Sequence, residues 1–395
     1  MPNRSDSSNS LRRYRVAIMV DPGDSWGRRV ILGISGAVRH LLPWDLVIAP
    51  QDDQWRLRVP PGWHGDGIIA AIRDDKTADH VRALQLPTVH VSLCEKSADS
   101  QFRVITDDRK RAELAFRHFQ ERGFTGYAYY GPQSQRYPVR RGEIFRDVVR
   151  EAGHSCEIFE MSPVVGRNSD LVQKQTREWL KGAPKPLAIL AADPHPALQL
   201  MEICQSLGIH VPEEVAILAG DSDDVLCEIS DPPMSSILLA SEQIGAESVQ
   251  MLRSLIEGNL PPEPTRLIPP IGVIGRRSTD ILAVSDPMFV KAVRYIRETA
   301  HTGIQVSDVL RVVPISRRSL EQRFQQLLHC SPADEIRNVR LSRVKQLLIS
   351  TEQTIEQIAD CSGFSSASQL SFAFRRATNQ TPAEFRRQNS RRREI

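Results

Sequence analysis

The feature that most constrains this chain is a helix-turn pattern written twice between Ile315 and Phe385. In each half a short apolar helix leads through a small-residue turn into a polar helix. The inner face of that helix carries two large apolar residues four apart, Leu320 and Phe324 in the first half, Leu370 and Phe374 in the second. Residues at that spacing share one helix face. A serine stands before each polar helix, Ser316 in the first half and Ser365 or Ser366 in the second, where its hydroxyl can cap free backbone N–H groups. This is helix-turn-helix punctuation. Between the halves, Pro332 to Leu348 has apolar residues at Ile336, Val339 or Leu341, Val344 and Leu347–Leu348, the pattern of an amphipathic helix with Pro332 in its first turn. One stiff helix fixes the separation of the two modules, so each polar helix can enter its own major groove on the same side of a duplex.

The charge distribution agrees. The net charge of +3 hides an asymmetry: residues 286–395 hold 18 Lys+Arg against 11 Asp+Glu, whereas residues 1–285 are net acidic. The basic end is the helix-turn-helix end, and a basic face attracts the phosphate backbone. The run Arg391–Arg393 is weaker testimony, since a terminal charge run is commonly a solvated tail.

Ahead of this region, at 395 residues in all, there is room for one or two more domains. Tyr14–Val20 reads as a buried strand, followed by a helix from about Gly27 to His40. Strand-like runs recur at Leu46–Ala49, Gly67–Ala71, Thr88–Ser92, Arg103–Ile105, Tyr127–Tyr130, Ile189–Ala191 and Val215–Leu218. Helical segments intervene at Arg109–Arg122, Gly142–Ala152, Asp170–Lys181 and Pro196–Leu207. Such alternation predicts parallel sheets with helices on both faces. About 265 residues of it is too much for one small sheet, so two lobes with a cleft between them are expected.

The C-terminal signature Ile358, Ala359, Gly363, Phe364, Leu370, Phe374, Thr381, Pro382, Phe385 and Arg386 resembles the AraC/XylS-type DNA-binding domain. It departs mildly at Leu370, where an aromatic is common, and at Pro314, where a glycine is usual. The preceding region resembles the periplasmic-binding-protein-like domain of LacI/GalR regulators. The matching pieces are Asp66-Gly-Ile-Ile-Ala, Thr106-Asp-Asp-Arg, Gly123-Phe-Thr-Gly-Tyr-Ala-Tyr-Tyr-Gly131, Ala191-Ala-Asp193 and Ile217-Leu-Ala-Gly-Asp221. A LacI-like sensor fused to a C-terminal AraC-like reader is the arrangement of xylose operon regulators of the XylR type.

The resemblance implies an α/β two-lobed periplasmic-binding-protein-like sensor followed by an all-α domain with two helix-turn-helix motifs. The expected boundaries are a disordered tail at 1–12, the sensor at 13–277, a linker at 278–286, the DNA-binding domain at 287–388 and a basic tail at 389–395. The Pro-rich span 261–270 reads as an ordered crossing loop.

A sugar site needs carboxylates, an arginine and an aromatic surface at the carboxyl ends of strands. Trp26, Arg28, Arg141, Asp193 and Asp221 qualify. The resemblance places a ligand-contacting arginine at Arg141 and a hydroxyl-binding acid at Asp221. The plainer alternatives are a core aromatic at Trp26, a helix salt bridge at Arg28 and turn or cap roles for the aspartates. Asp107 or Asp108 reads as the cap of the following helix. For DNA, the resemblance points to Arg317, Arg318, Glu321 and Gln322 in the first module and Ser365, Ala367, Ser368 and Gln369 in the second. The first set suits hydrogen-bonded base readout. The second is small or neutral and suits shape or methyl contacts.

Two carboxylates in a sugar site could be a glycosidase pair, but catalysis would leave the duplicated helix-turn-helix unexplained. The chain has no P-loop, Gly-x-Gly-x-x-Gly at a strand end, nucleophile elbow or metal-ligand cluster. No enzyme activity, cofactor or metal is therefore expected. The six scattered cysteines suggest free thiols rather than a disulfide framework. Met1–Ser10 lacks the apolar core of a signal peptide, so the expected compartment is the cytoplasm, with no membrane partner. The implied function is a D-xylose-dependent activator of xylose catabolism genes. It would work as a homodimer on double-stranded promoter DNA, with RNA polymerase as a further partner. Another pentose or hexose regulator, or a transporter's sugar-binding protein, is the alternative.

Overall fold

The computed structural model describes residues 13–39, 43–72, 74–92, 102–132, 136–161, 170–280, 286–328 and 330–389. The expected tail at 1–12, the basic tail beyond Asn389 and linker residues 281–285 lie outside the described residues.

In chain order the first elements are β1 (Tyr14–Met19), α1 (Ser25–Arg39), β2 (Trp44–Ile48), β3 (Gly67–Ala70), α2 (Asp75–Ala83), β4 (Thr88–His90) and β5 (Arg103–Thr106). Then come α3 (Asp108–Gln120), β6 (Gly126–Pro132), α4 (Arg136–Glu151), β7 (Cys156–Met161), α5 (Asp170–Gly182), β8 (Leu187–Ala191), α6 (Pro194–Ser206) and β9 (Val215–Ala219). The α/β part closes with α7 (Asp224–Ile229), β10 (Ser235–Leu238), α8 (Ser241–Ile256), β11 (Thr265–Ile268) and β12 (Gly272–Ile274). The helical part comprises α9 (Pro287–Thr299), α10 (Val306–Val312), α11 (Arg317–Leu328), α12 (Pro332–Ser350), α13 (Ile355–Cys361), α14 (Ala367–Thr378) and α15 (Pro382–Asn389).

The chain divides into two compact units. The first takes residues 1–107, 135–137 and 240–268. Its sheet runs β11-β5-β4-β3-β1-β2, with every pairing parallel. Ala17, Met19, Ile68 and Ala70 pack on Ala78 and Val81 of α2, while Gly67, on the opposite face, lies against Leu252 and Ile256 of α8. That two-sided burial is why these strands read as continuous apolar runs. Helices α1 and α8 meet backbone to backbone: a Cβ on Gly33 would stand 2.0 Å from the Glu242 carbonyl oxygen, and one on Gly245 2.1 Å from that of Val30.

The second unit takes residues 108–134, 138–239 and 269–395. Its sheet runs β12-β10-β9-β8-β6-β7, parallel except for the antiparallel edge pair β10–β12. On one face Ala128, Ile189, Ala191, Ile217 and Ala219 pack against α5 and α6 through Val172, Leu180, Leu200 and Met201. On the other, Tyr127 meets Phe116 of α3, ring centroids 5.2 Å apart.

Three expectations about the α/β part need correcting. The second sheet is mixed, because residues 271–274 double back along β10. The Pro-rich span is not wholly a loop: Thr265–Ile268 forms β11, paired in parallel with Arg103–Thr106. It is an edge strand, where flanking prolines remove no needed ladder bond. Finally, the linker does not begin at Ser278. The Ser235 amide donates to Ser278 Oγ at 2.9 Å, Ser278 Oγ donates to the Ile217 carbonyl at 2.6 Å, and Thr279 Oγ1 meets His118 Nε2 at 2.8 Å. With both side chains fully buried, the α/β domain runs through Thr279.

The helical part has two cores. In the first, Phe289, Val293 and Ile296 of α9 pack with Val309, Leu320, Phe324 and Ile336. In the second, Leu341, Val344 and Leu348 of α12 pack with Ile358, Leu370, Phe374 and Phe385. Helix α12 thus serves both, with Ile336 and Val339 turned to one and Leu341, Val344 and Leu348 to the other. At about 100° per residue the two apolar faces are roughly 140° apart, so α12 has two stripes instead of the single stripe expected. Its start is fixed by a capping box between Ser331 and Asp334. Arg340 joins the halves, donating from Nε to the Ala300 carbonyl (2.8 Å) and from Nη2 to the Ile304 carbonyl (2.7 Å) while lying 6.0 Å over the Phe364 ring. Burial lowers its pKa from the usual arginine value.

Arg297 of α9 touches the α/β part of the same unit, donating to the Glu121 carbonyl at 3.4 Å; it also approaches Asp280 at 3.9 Å and, within the helical part, Glu335 of α12 at 3.5 Å. Helix α9, which packs in the first helical core, thus meets the C-terminal end of α3, the helix that opens at Asp108.

Candidate functional site

In the second unit, Arg141 from α4 lies 3.2 Å from Asp108 Oδ1 and 3.3 Å from Asp193 Oδ1. Asp108 opens α3, Asp193 follows β8, and Asp221 follows β9, so three strand-to-helix connections converge here. Asp193 occupies the N-cap position of α6, yet its carboxylate makes no cap hydrogen bond there. The plain cap alternative for Asp193 is thus not what its side chain does. Asp221 is buried, and its Oδ1 accepts from the Ser222 amide at 2.7 Å.

Two members of this group were not among the expected site residues. Arg111, one turn into α3, is 1% exposed, reaches the Gly220 carbonyl at 3.3 Å and stands 3.6 Å from Asp108. Burial lowers its pKa, and the neighbouring Arg141 adds to the effect, with Asp108 opposing. The Asp108-x-x-Arg111 spacing was the available signal, since it puts acid and base on one helix face. The second is Tyr129. Its ring is held between Gly131 and Gly142, where an added Cβ would fall within 3.1 and 2.7 Å of ring atoms. Its hydroxyl is buried with no hydrogen-bond partner among the described residues, and burial raises its pKa, countered in part by Arg111 and Arg141. A buried hydroxyl left unpaired is costly and marks a place where a polar ligand atom would be welcome.

Chemically, the group offers two guanidiniums, three carboxylates and a phenol. Arginine supplies paired donors to adjacent oxygens, and carboxylates accept from hydroxyls. That mixture matches a polyhydroxylated neutral molecule better than an anion.

Trp26 and Arg28 belong to the first unit, at the start of α1. Trp26 is half-buried. Arg28 is exposed and donates from Nη1 to the carbonyls of Pro22 (3.1 Å) and Gly23 (3.0 Å), so its guanidinium staples its own turn. Asp107, also in that unit, donates its amide to the Ile268 carbonyl at 2.8 Å.

The expected reading residues lie where a nucleic acid could reach them. On α11, Leu320 and Phe324 are fully buried, whereas Arg317, Arg318, Glu321 and Gln322 are exposed. Arg317 Nε pairs with Glu321 Oε1 at 2.9 Å, an exposed contact weak enough to yield to DNA. On the second module, Leu370 and Phe374 are buried and Ser365, Ser368 and Gln369 exposed, with Ala367 half-buried. The capping serine is Ser366, whose Oγ accepts from the Gln369 amide at 3.2 Å. Ser365 instead donates from its amide (2.9 Å) and its Oγ (3.1 Å) to Gln369 Oε1. No group of metal-ligating side chains occurs among the described residues, and no helix among them is long and apolar enough to cross a membrane.

Residues 116–279 match the periplasmic binding protein-like domain family and residues 309–388 the helix-turn-helix domain family. The chain is 29% identical to the xylose operon regulatory protein of Escherichia coli K12 over 386 residues, covering 96% of this chain and 98% of that one. The Haemophilus influenzae protein of the same name is also 29% identical, over 94% of this chain and 98% of its own. A solved structure described as the xylose-binding transcription activator xylR aligns with a TM-score of 0.61 at 28% identity, covering 96% of this chain and all of that one.

Proposed function

Taking as premise that the chain is a sugar-responsive DNA-binding transcription regulator with the two-domain organisation of the xylose operon regulatory proteins, we propose that its effector is D-xylose and that it activates transcription of xylose catabolism genes. The observation that carries the ligand assignment is the Asp108–Arg141–Asp193 cluster with the unpartnered Tyr129 hydroxyl beside it. In this reading Arg141 donates to two neighbouring sugar oxygens, Asp193 and Asp221 accept from sugar hydroxyls, and Tyr129 supplies a further donor. Arg111 holds Asp108 and the Gly220 carbonyl in place and thereby positions the others. Trp26 offers its indole to the apolar face of the sugar ring, and Arg28 keeps the preceding turn in shape.

Signal transfer follows from linkage: a sugar that favours one arrangement of the protein shifts its DNA affinity only by its preference for that arrangement. The Arg297 contacts with Glu121, Asp280 and Glu335 are the proposed route. The acting species is a cytoplasmic homodimer on double-stranded promoter DNA, recruiting RNA polymerase. No catalytic step or cofactor is part of this mechanism.

The test is calorimetric titration with D-xylose beside L-arabinose, D-ribose and D-glucose, repeated on Arg141→Ala and Asp221→Ala. Saturable binding of D-xylose alone, lost in both variants, supports ligand and site together. Binding of another sugar at the same residues keeps the site and replaces the ligand. D-xylose binding that survives both substitutions removes the site.

A further inference from the structure

The two reading modules repeat with a constant offset. Helices α11 (Arg317–Leu328) and α14 (Ala367–Thr378) each have 12 residues and lie fifty positions apart. The capping serines Ser316 and Ser366 each accept from the amide three residues on, both at 3.2 Å. Leu320 and Leu370 are 0% exposed, as are Phe324 and Phe374. Each core phenylalanine packs edge-on against another, Phe324 on Phe289 at 5.0 Å and Phe374 on Phe385 at 5.2 Å. With the scaffolds in register, Gln322 of the first module corresponds to Phe372 of the second.

Phe372 is 72% exposed, and among the described residues its ring makes no aromatic contact. It follows Ser368 by four residues, so the two share one helix face. Arg375 and Arg376, both exposed, come in the next turn, and their charge suits a polyanion. Around Phe372 the helix has little hydrogen-bonding capacity to spend on bases: Ala367 has none, Ser365 and Ser368 are short, and the Gln369 carboxamide oxygen is already engaged by Ser365. In the major groove the one apolar group that identifies a base is the C5 methyl of thymine. A phenyl ring exposed on a reading face has that group as its complement.

We propose that Phe372 is a base-reading residue of the second module and that it recognises a thymine through its C5 methyl group. This rests on the reading of α14 as a helix that enters the major groove of DNA. The occupant of this face is duplex DNA, and the flanking arginines bind its phosphates. The two modules then read in different chemical languages, the first by hydrogen bonds and the second by apolar contact.

The test uses the full-length protein. Wild type, Phe372→Ala and Phe372→Gln are put through selection from a random duplex library, with and without D-xylose. The site enriched by wild type is then synthesised with each thymine replaced singly by deoxyuridine, which removes only the methyl. We expect one replacement in the second half-site to weaken wild type about three- to tenfold. Phe372→Ala should bind the unmodified site about that much more weakly and be indifferent to the same replacement. Phe372→Gln should enrich a different base at that position. Unchanged thermal midpoints establish that the variants fold. If Phe372→Ala binds like wild type, or binds more weakly yet retains the sensitivity to deoxyuridine, the assignment is overturned. Loss of promoter activation with the DNA profile intact also overturns it, in favour of a protein partner. A wild-type protein that enriches two half-sites but ignores every methyl overturns this assignment alone. One that enriches no sequence overturns the underlying DNA reading as well.

Discussion

The two helix-turn-helix modules put the same helix in the same place but reach it by different turns and cover it with different chemistry. In the first module the turn passes through Val313, in extended conformation and fully buried, and Pro314. The residue fifty positions on is Gly363, at φ +77, where a Cβ would stand 2.4 Å from the Ala300 carbonyl oxygen. That approach also joins the modules, since Ala300 belongs to the first. Outward, α11 presents Arg317, Arg318, Glu321 and Gln322, whereas α14 presents Ser368, Gln369, the half-buried Ala367 and Phe372, with Arg375 and Arg376 in its next turn. The inner faces are nearly interchangeable and the outer faces differ at each corresponding reading position (317/367, 318/368, 321/371 and 322/372), which is what results when packing fixes a scaffold and the reading surface is free to vary.

The sharpest way to break the equivalence is at the turns. Gly363→Val meets both a left-handed backbone and the Ala300 carbonyl, at a cost of about 2–5 kcal/mol. Val313→Ala removes buried methyls for about 1–2 kcal/mol. Denaturant unfolding followed by hydrogen exchange on both modules would check the ranking, and equal costs would refute it. Next in size, Leu320→Ala and Leu370→Ala should each destabilise by about 3 kcal/mol. A gap beyond about 1 kcal/mol between them would mean that the two cores do not carry their reading helices alike.

Smaller effects concern the outer faces. Arg318→Ala should weaken DNA binding and reduce the slope of log affinity against log salt by up to about 1 if it holds a phosphate. Ser368→Ala should leave that slope unchanged, and fluorescence anisotropy across a salt series distinguishes the two. Smallest of all, Arg317→Ala should change thermal stability by no more than about 0.5 kcal/mol, because its ion pair with Glu321 is solvent-exposed.

Much of this fold was legible before any coordinates, where burial on both faces writes one continuous apolar run. The clearest cases are Leu187–Ala191 and Val215–Ala219, in which every residue is buried. Edge strands were not legible. Thr265–Ile268 has a single buried residue and sits among prolines, so its hydrogen bonds with Arg103–Thr106 leave no trace in hydropathy. Helix α12 is legible as a helix, but in the sequence Val339 and Leu341 read as alternatives on one stripe, whereas each serves its own core. In the candidate ligand site, Asp193 and Asp221 stand out because they follow strand ends, and Arg141, inside α4, only through the family resemblance. Arg111 and Tyr129 do not, since a residue inside a helix or strand advertises only its element, and the pairing of Arg111 with Asp108 exists only once α3 has formed. In the second reading helix the sequence alone does not mark Phe372, whose exposure becomes informative only when the buried Leu370 and Phe374 show which way the helix faces.

The two-sided packing of α12 also limits how such a reader can diverge. One residue inserted between Val339 and Leu341 would rotate the second apolar face by about 100° and advance it by about 1.5 Å, and both cores could not remain closed. Only insertions of about a whole turn keep the faces in phase, and these move the second module by about 5.4 Å, more than the roughly 3.4 Å between successive base pairs. Relatives built on this helix can therefore change the letters they recognise by surface substitution, but they inherit the distance between the two words.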